Sequence, residues 1–138
     1  ARFYQEVIGA PAGVATAAHG LATCTVQAGA TQALRFEETE AAPLAYDGHH
    51  IQVYVADFSG PHQRLQERGL VTEESNAHQY RFEDIRDGSD GAAAAPWFRI
   101  EHEVRSLRHP LYARPLVNRN PAESNRDHRP GRDAYTPD

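Results

Sequence analysis

The sequence predicts a small α+β domain of duplicated βαβββ modules, whose strands form a curled mixed sheet around an inner cleft. Three observations predict it. Short alternating runs recur along the chain, two helical stretches interrupt them, and the order helix-then-strands occurs twice. The length of 138 residues suits one core, and 40% hydrophobic residues can fill it.

The opening ARFYQEVIGAP reads as a helix, with Phe3, Val7 and Ile8 at helical spacing and Gly9 and Pro11 as its stop. Leu21 to Gly29 and Thr31 to Thr39 alternate as strands. Pro43 and Asp47-Gly48 mark a linker. His50 to Phe58 alternates cleanly, and Ser59 is placed to cap a helix with Pro61 in its first turn, Leu65 buried and Gly69 as its end. HQYRFEDI and WFRIEHEV are further strands, separated by the Ala-rich loop DGSDGAAAAP. SLRHPLYARPLVNRNP is broken by Pro, and the remaining tail is too polar to build a core.

RFYQEVIGAP aligns with HQRLQERGLV, matching Gly9 to Gly69. ALRFEET aligns with WFRIEHE, matching Arg35 and Glu37 to Arg99 and Glu101, with a small insertion before Trp97. The expected organisation is an incomplete first module (1–45), a second module (46–107) and an irregular C-terminal extension (108–138). The second module has a strand ahead of its helix and the first has none, so a strand from upstream or from another chain is expected at the exposed sheet edge.

Composition excludes several classes. Fourteen basic residues, all Arg, against nineteen acidic ones give a net charge of −5, which argues against a nucleic-acid or anionic-membrane surface. No run of about 18 apolar residues exists for a membrane span. The single Cys24 excludes an intrachain disulfide framework, fits a reducing cytoplasmic setting, and falls on an apolar face where a buried inert thiol is expected.

Alternation divides the strands into faces. Ile51, Val53 and Val55 oppose His50, Gln52 and Tyr54. Phe98, Ile100 and Val104 oppose Arg99, Glu101 and Glu103. Tyr80 and Phe82 oppose Gln79, Arg81 and Glu83, and Leu34 and Phe36 oppose Arg35 and Glu37. The charged face is either bathed in water, as in many antiparallel sheets, or curled into a cleft suited to a metal ion or an anionic substrate.

GHHIQVYVADFSGPHQRLQERGL, FRIEHE and FYQEVIGAP resemble segments of the vicinal oxygen chelate (glyoxalase, bleomycin-resistance, extradiol dioxygenase) superfamily, over roughly Arg2 to Val104. The resemblance implies that His50 and Glu101 ligate a divalent metal ion (Fe, Mn, Ni or Zn). It implies Glu37 as third ligand or general base, and a further His from the strand ahead of the first helix. Tyr54 joins Glu37 as a candidate catalytic residue; Arg35, Gln52, Arg81 and Arg99 are candidate substrate-binding residues. His49 and His102 replace the metal pair only if both strands slip by one residue. His50 as an ordinary strand-end histidine, and Glu101 as an ion-pair partner of Arg99 or Arg81, is the structural alternative. His109, Arg108 and Arg114 are assigned to a surface loop.

The expected function is a glyoxalase-like, divalent-metal-dependent enzyme of lyase, isomerase or dioxygenase type acting on a small oxygenated substrate. The rival is a metal-free protein that sequesters a small molecule, as bleomycin-resistance proteins do. A homodimer is expected, with no nucleic-acid or membrane partner.

Overall fold

The computed structural model describes residues 1–18, 20–42, 45, 47–86 and 95–112. It is an α+β structure of two open sheets, one α-helix and a short π-helix. The three-stranded sheet has the order β1 (Ala12–Thr16), β2 (Ala22–Gln27), β3 (Ala33–Glu37), all antiparallel. The four-stranded sheet contains β4 (His50–Val55), β5 (Val71–Asn76), β6 (Gln79–Ile85) and β7 (Phe98–Ser106), in the order β4-β7-β6-β5. β4 pairs parallel to β7; the other pairs are antiparallel. The chain therefore runs π-helix and three strands, then β4, the helix α1 (Ser59–Glu67) and three strands.

The opening helix forms where expected but is π-helical over Tyr4–Ile8. Gly9, at φ 79°, ends it, and Arg64 Nε donates to the Val7 carbonyl at 2.7 Å, tying its end to α1. Ser59 is not the cap of α1. It is the first helical residue, and Asp57 Oδ1 accepts from Gly60 N–H at 3.0 Å instead. At the other end Gly69 adopts φ 64° and closes a Schellman motif: Leu70 N–H bonds Leu65 O at 3.0 Å and Gly69 N–H bonds Gln66 O at 2.9 Å. Leu65 and Leu70, which such a motif brings together, are both buried.

The core lies between these helices and the apolar faces of the sheets. Phe3, Tyr4 and Val7 pack with Leu65, Tyr80, Phe82, Val104 and Val26. The first strand after each helix, β1 and β5, is called for by a βαβββ module but is not located by the sequence pattern. AGVAT has one exposed large apolar residue, Val14, and VTEESN is exposed beyond Val71, so neither carries the alternation that marks a half-buried strand.

His102 is the largest departure in the core. Alternation puts it on the apolar face, where it is 2% exposed and stacked on Phe82 at 4.2 Å between ring centroids. Its Nδ1 lies 2.8 Å from the Ile100 carbonyl, an acceptor, so Nδ1 carries the proton; Nε2 then accepts from the Tyr4 hydroxyl at 2.8 Å. Burial lowers the His102 pKa to about 4, against a smaller opposing effect of the Ile100 carbonyl. Burial also raises the Tyr4 phenol pKa.

Pro43, Leu44, Tyr46, most of the Ala-rich loop, Arg114 and the tail from residue 113 lie outside the described residues.

Candidate functional site: the charged face of the four-stranded sheet

β4, β7 and β6 lie side by side, so their polar residues form a single surface. The parallel register sets His50 beside Glu101, Gln52 beside Glu103 and Tyr54 beside Arg105. The antiparallel register sets Arg81 beside Glu103 and Gln79 beside Arg105. The expected pair, His50 and Glu101, converges: Nδ1 and Oε1 are 3.9 Å apart.

Arg81 is the centre of the charge pattern. Its Nη1 donates to Glu101 Oε1 at 2.8 Å and its Nη2 to Glu103 Oε2 at 2.7 Å. Glu103 is 3% exposed and also meets Arg105 Nη2 at 2.5 Å. Arg105 continues the chain, donating to Gln79 Oε1 at 2.8 Å and to the Tyr54 hydroxyl at 3.1 Å. Two guanidinium groups and two carboxylates thus balance, as burial of charge demands.

The turn after β7 covers one end of this surface. His109 and Tyr112 bring their rings to 6.3 and 5.3 Å from that of Tyr54. His109 is buried, not part of an exposed loop. Burial lowers its pKa, helped by Arg105 and His78 and opposed by Glu103.

Other candidates sit elsewhere. Arg35 and Glu37 pair with each other at 2.9 Å on β3, both well exposed. Arg99 bonds Asp84 at 3.0 Å, across the register shift that separates Phe82 from Asp84. Burial pushes the Asp84 pKa up, but bonds from Arg86 and Arg99 outweigh it and hold the carboxyl below its usual range. The slipped alternative fails: His49 precedes the strand and pairs with Asp47, while His102 is in the core. Among the described residues no group of three His, Cys, Asp or Glu side chains is placed to hold a metal ion.

Sequence reasoning missed Glu103 and Arg105 as members of the network. Alternation already put Glu103 on the same face as Glu101, and extending the same strand by one residue would have reached Arg105. The buried position of His109 had no periodic signal, because it lies in a turn.

No protein-family model, curated protein or solved structure matches this chain. No described helix is long and apolar enough to cross a membrane.

Proposed function

We propose that the chain is a glyoxalase-like protein of the vicinal oxygen chelate type, acting on a small oxygenated substrate at the charged face of its four-stranded sheet. Its support is topological: two successive units each run from a helix into a three-stranded antiparallel meander, the second opened by β4. Arg35 and Arg99 both lie on the third strand of their meander, as a duplication requires.

His50 and Glu101 are the residues that would hold a divalent cation. The single observation that carries this reading is their register pairing, with donor atoms 3.9 Å apart. Ligand bonds of about 2.0–2.2 Å to one ion need only a small approach of the two side chains. The ion would supply Lewis-acid stabilisation of charge on substrate oxygens. The donor set is incomplete among the described residues, so no reaction step is assigned to it. What the chain itself offers is orientation: Gln52 and Tyr54 stand in line with His50 on β4, with Arg105 holding the Tyr54 hydroxyl.

A second reading, metal-free sequestration of a small molecule, is favoured by a different observation. Arg81 already bonds Glu101 Oε1, the oxygen nearest His50. A cation must displace that guanidinium or share the oxygen with it.

Metal titration separates the two. Protein offered Mn(II), Fe(II), Ni(II) and Zn(II) in turn is assayed by calorimetry and elemental analysis. Stoichiometric uptake abolished by His50→Ala supports the metal-dependent enzyme. Absence of uptake for all four ions rejects it and leaves the binding protein.

A further inference from the structure

We propose that the pocket between the start of α1 and the β5–β6 hairpin binds a small primary amine in its protonated form. The pocket has a volume of about 160 Å³, with Phe58, Ser59 and His62 on the helix side and Glu74, Asn76 and Tyr80 on the hairpin side. It lies across the sheet from the charged face. Glu73 is set beside Arg81 on that face, whereas Glu74 and Tyr80 meet His62 of α1 on the other. The pocket is therefore distinct from the pair His50 and Glu101, and its ligand does not depend on what that pair holds.

The side chains select the ligand. Among the described residues the lining holds one carboxylate, Glu74, and no guanidinium. His62 Nε2 donates to Glu74 Oε1 at 2.6 Å, and Gln66 Nε2 donates to the same oxygen at 3.4 Å. A carboxylate only accepts, so Nε2 carries the imidazole proton. These two bonds fix the carboxylate through Oε1 and leave Oε2 for a ligand. With the imidazole neutral, the charge of the pocket is negative. Further acceptors stand on its rim: the Ser59 hydroxyl, and Asn76 Oδ1, which takes one bond from the His78 N–H at 2.8 Å and keeps a second lone pair. Tyr80 lines the floor. It is 1% exposed, and its hydroxyl has no hydrogen-bond partner among the described residues, a deficit that a bound donor would relieve. Its ring centroid lies 5.0 Å from those of Phe58 and His62, so an aromatic wall adjoins the carboxylate. Aromatic faces attract a cation. An ammonium group brings three donors and no acceptor, which suits a pocket of acceptors around one negative charge. A carboxylate ligand is repelled here, and an alcohol offers one donor without the charge.

The test titrates residues 1–138 with propylammonium, propanol and propionate, followed by amide chemical shifts. It is run at about pH 8, where imidazole is neutral and a primary amine is still protonated. Propylammonium is expected to shift the amides of residues 58–62 and 74–80 saturably, and the other two compounds to bind at least about fivefold more weakly. Glu74→Gln keeps the shape of an exposed side chain and removes its charge; it is expected to weaken propylammonium by about fivefold. Tyr80→Phe is expected to weaken it as well, without lowering the urea midpoint, because the hydroxyl it removes has no partner in the protein. Three results would overturn the proposal. The first is the absence of saturable shifts with propylammonium. The second is equal binding of propanol or propionate, which shows that the pocket does not read the positive charge. The third is unchanged affinity in either variant, which places the amine elsewhere.

Discussion

His50 and Glu101 are register partners on the parallel strands β4 and β7, and the glutamate oxygen nearest the imidazole is the one that Arg81 holds at 2.8 Å. A cation and a guanidinium therefore compete for one oxygen. Arg81→Gln is expected to raise divalent-metal affinity on the order of tenfold, because it removes a like charge within a few ångströms of the ion. His50→Ala is expected to lower affinity by at least as much while leaving stability within about 0.5 kcal/mol, since an exposed strand-end residue adds little to packing. Calorimetric titration of both variants against Mn(II) checks the pair. Unchanged affinity in both variants would remove these residues from any metal site.

The second prediction contrasts two ion pairs. Glu103 is buried between Arg81 and Arg105, whereas Glu37 and Arg35 pair on an exposed surface. Glu103→Ala strips two partly buried guanidinium groups of their shared partner and is expected to cost about 3 kcal/mol. Glu37→Ala is expected to cost less than about 0.5 kcal/mol, because solvent screens an exposed pair. Urea unfolding measures both, and similar costs would mean that the network on the charged face is not structurally special.

How much of this was legible follows from periodicity. β4, β6 and β7 alternate in sequence because one face packs on the core, so their faces, and with them the placing of His50 and Glu101 on the polar side, were readable; that the two pair was implied by the family resemblance and not by periodicity. β1 and β5 were not, because nearly all their side chains are exposed and no face imposes a pattern. The polar partners were harder still. Which carboxylate Arg81 chooses depends on register between strands distant in sequence, and the shift between Phe82 and Asp84 moves Arg99 onto Asp84 instead. Alternation did place His102 on the apolar face; what it could not supply was Tyr4, 98 positions away, as the partner that makes burial tolerable.

The caps of α1 give a third prediction. Gly69 adopts φ 64° with open space around it, so Gly69→Ala meets no clash and pays only the left-handed conformation, about 1–2 kcal/mol. Gly60 differs: its backbone is ordinary, but an added Cβ collides with the Asp57 carboxylate that caps the helix. Gly60→Ala is expected to displace the cap at about 1 kcal/mol, and Asp57→Ala should make the Gly60 substitution nearly free. A double-mutant cycle by thermal unfolding reads this coupling, and additivity of the two would sink it.

The last prediction concerns acid. In the folded protein His102 has a pKa of about 4, lowered by burial; in the unfolded chain an ordinary imidazole titrates near about 6.5. Above that value the residue is neutral in both states and contributes no pH dependence. As pH falls below it, the unfolded chain takes up a proton that the folded chain refuses, so stability drops until the folded pKa is reached. Between about pH 7 and about pH 5 the loss is about 2 kcal/mol. His109, whose pKa is also lowered, adds to it in the same direction. Tyr4 donates to His102, so replacing the histidine alone would strand a buried hydroxyl. The double variant Tyr4→Phe with His102→Phe removes both polar groups and keeps an aromatic ring against Phe82. Its urea midpoint is expected to change much less over the same pH range than that of the parent protein. Equal slopes in parent and double variant would show that protonation of His102 does not drive the acid loss, and that another group titrates in its place.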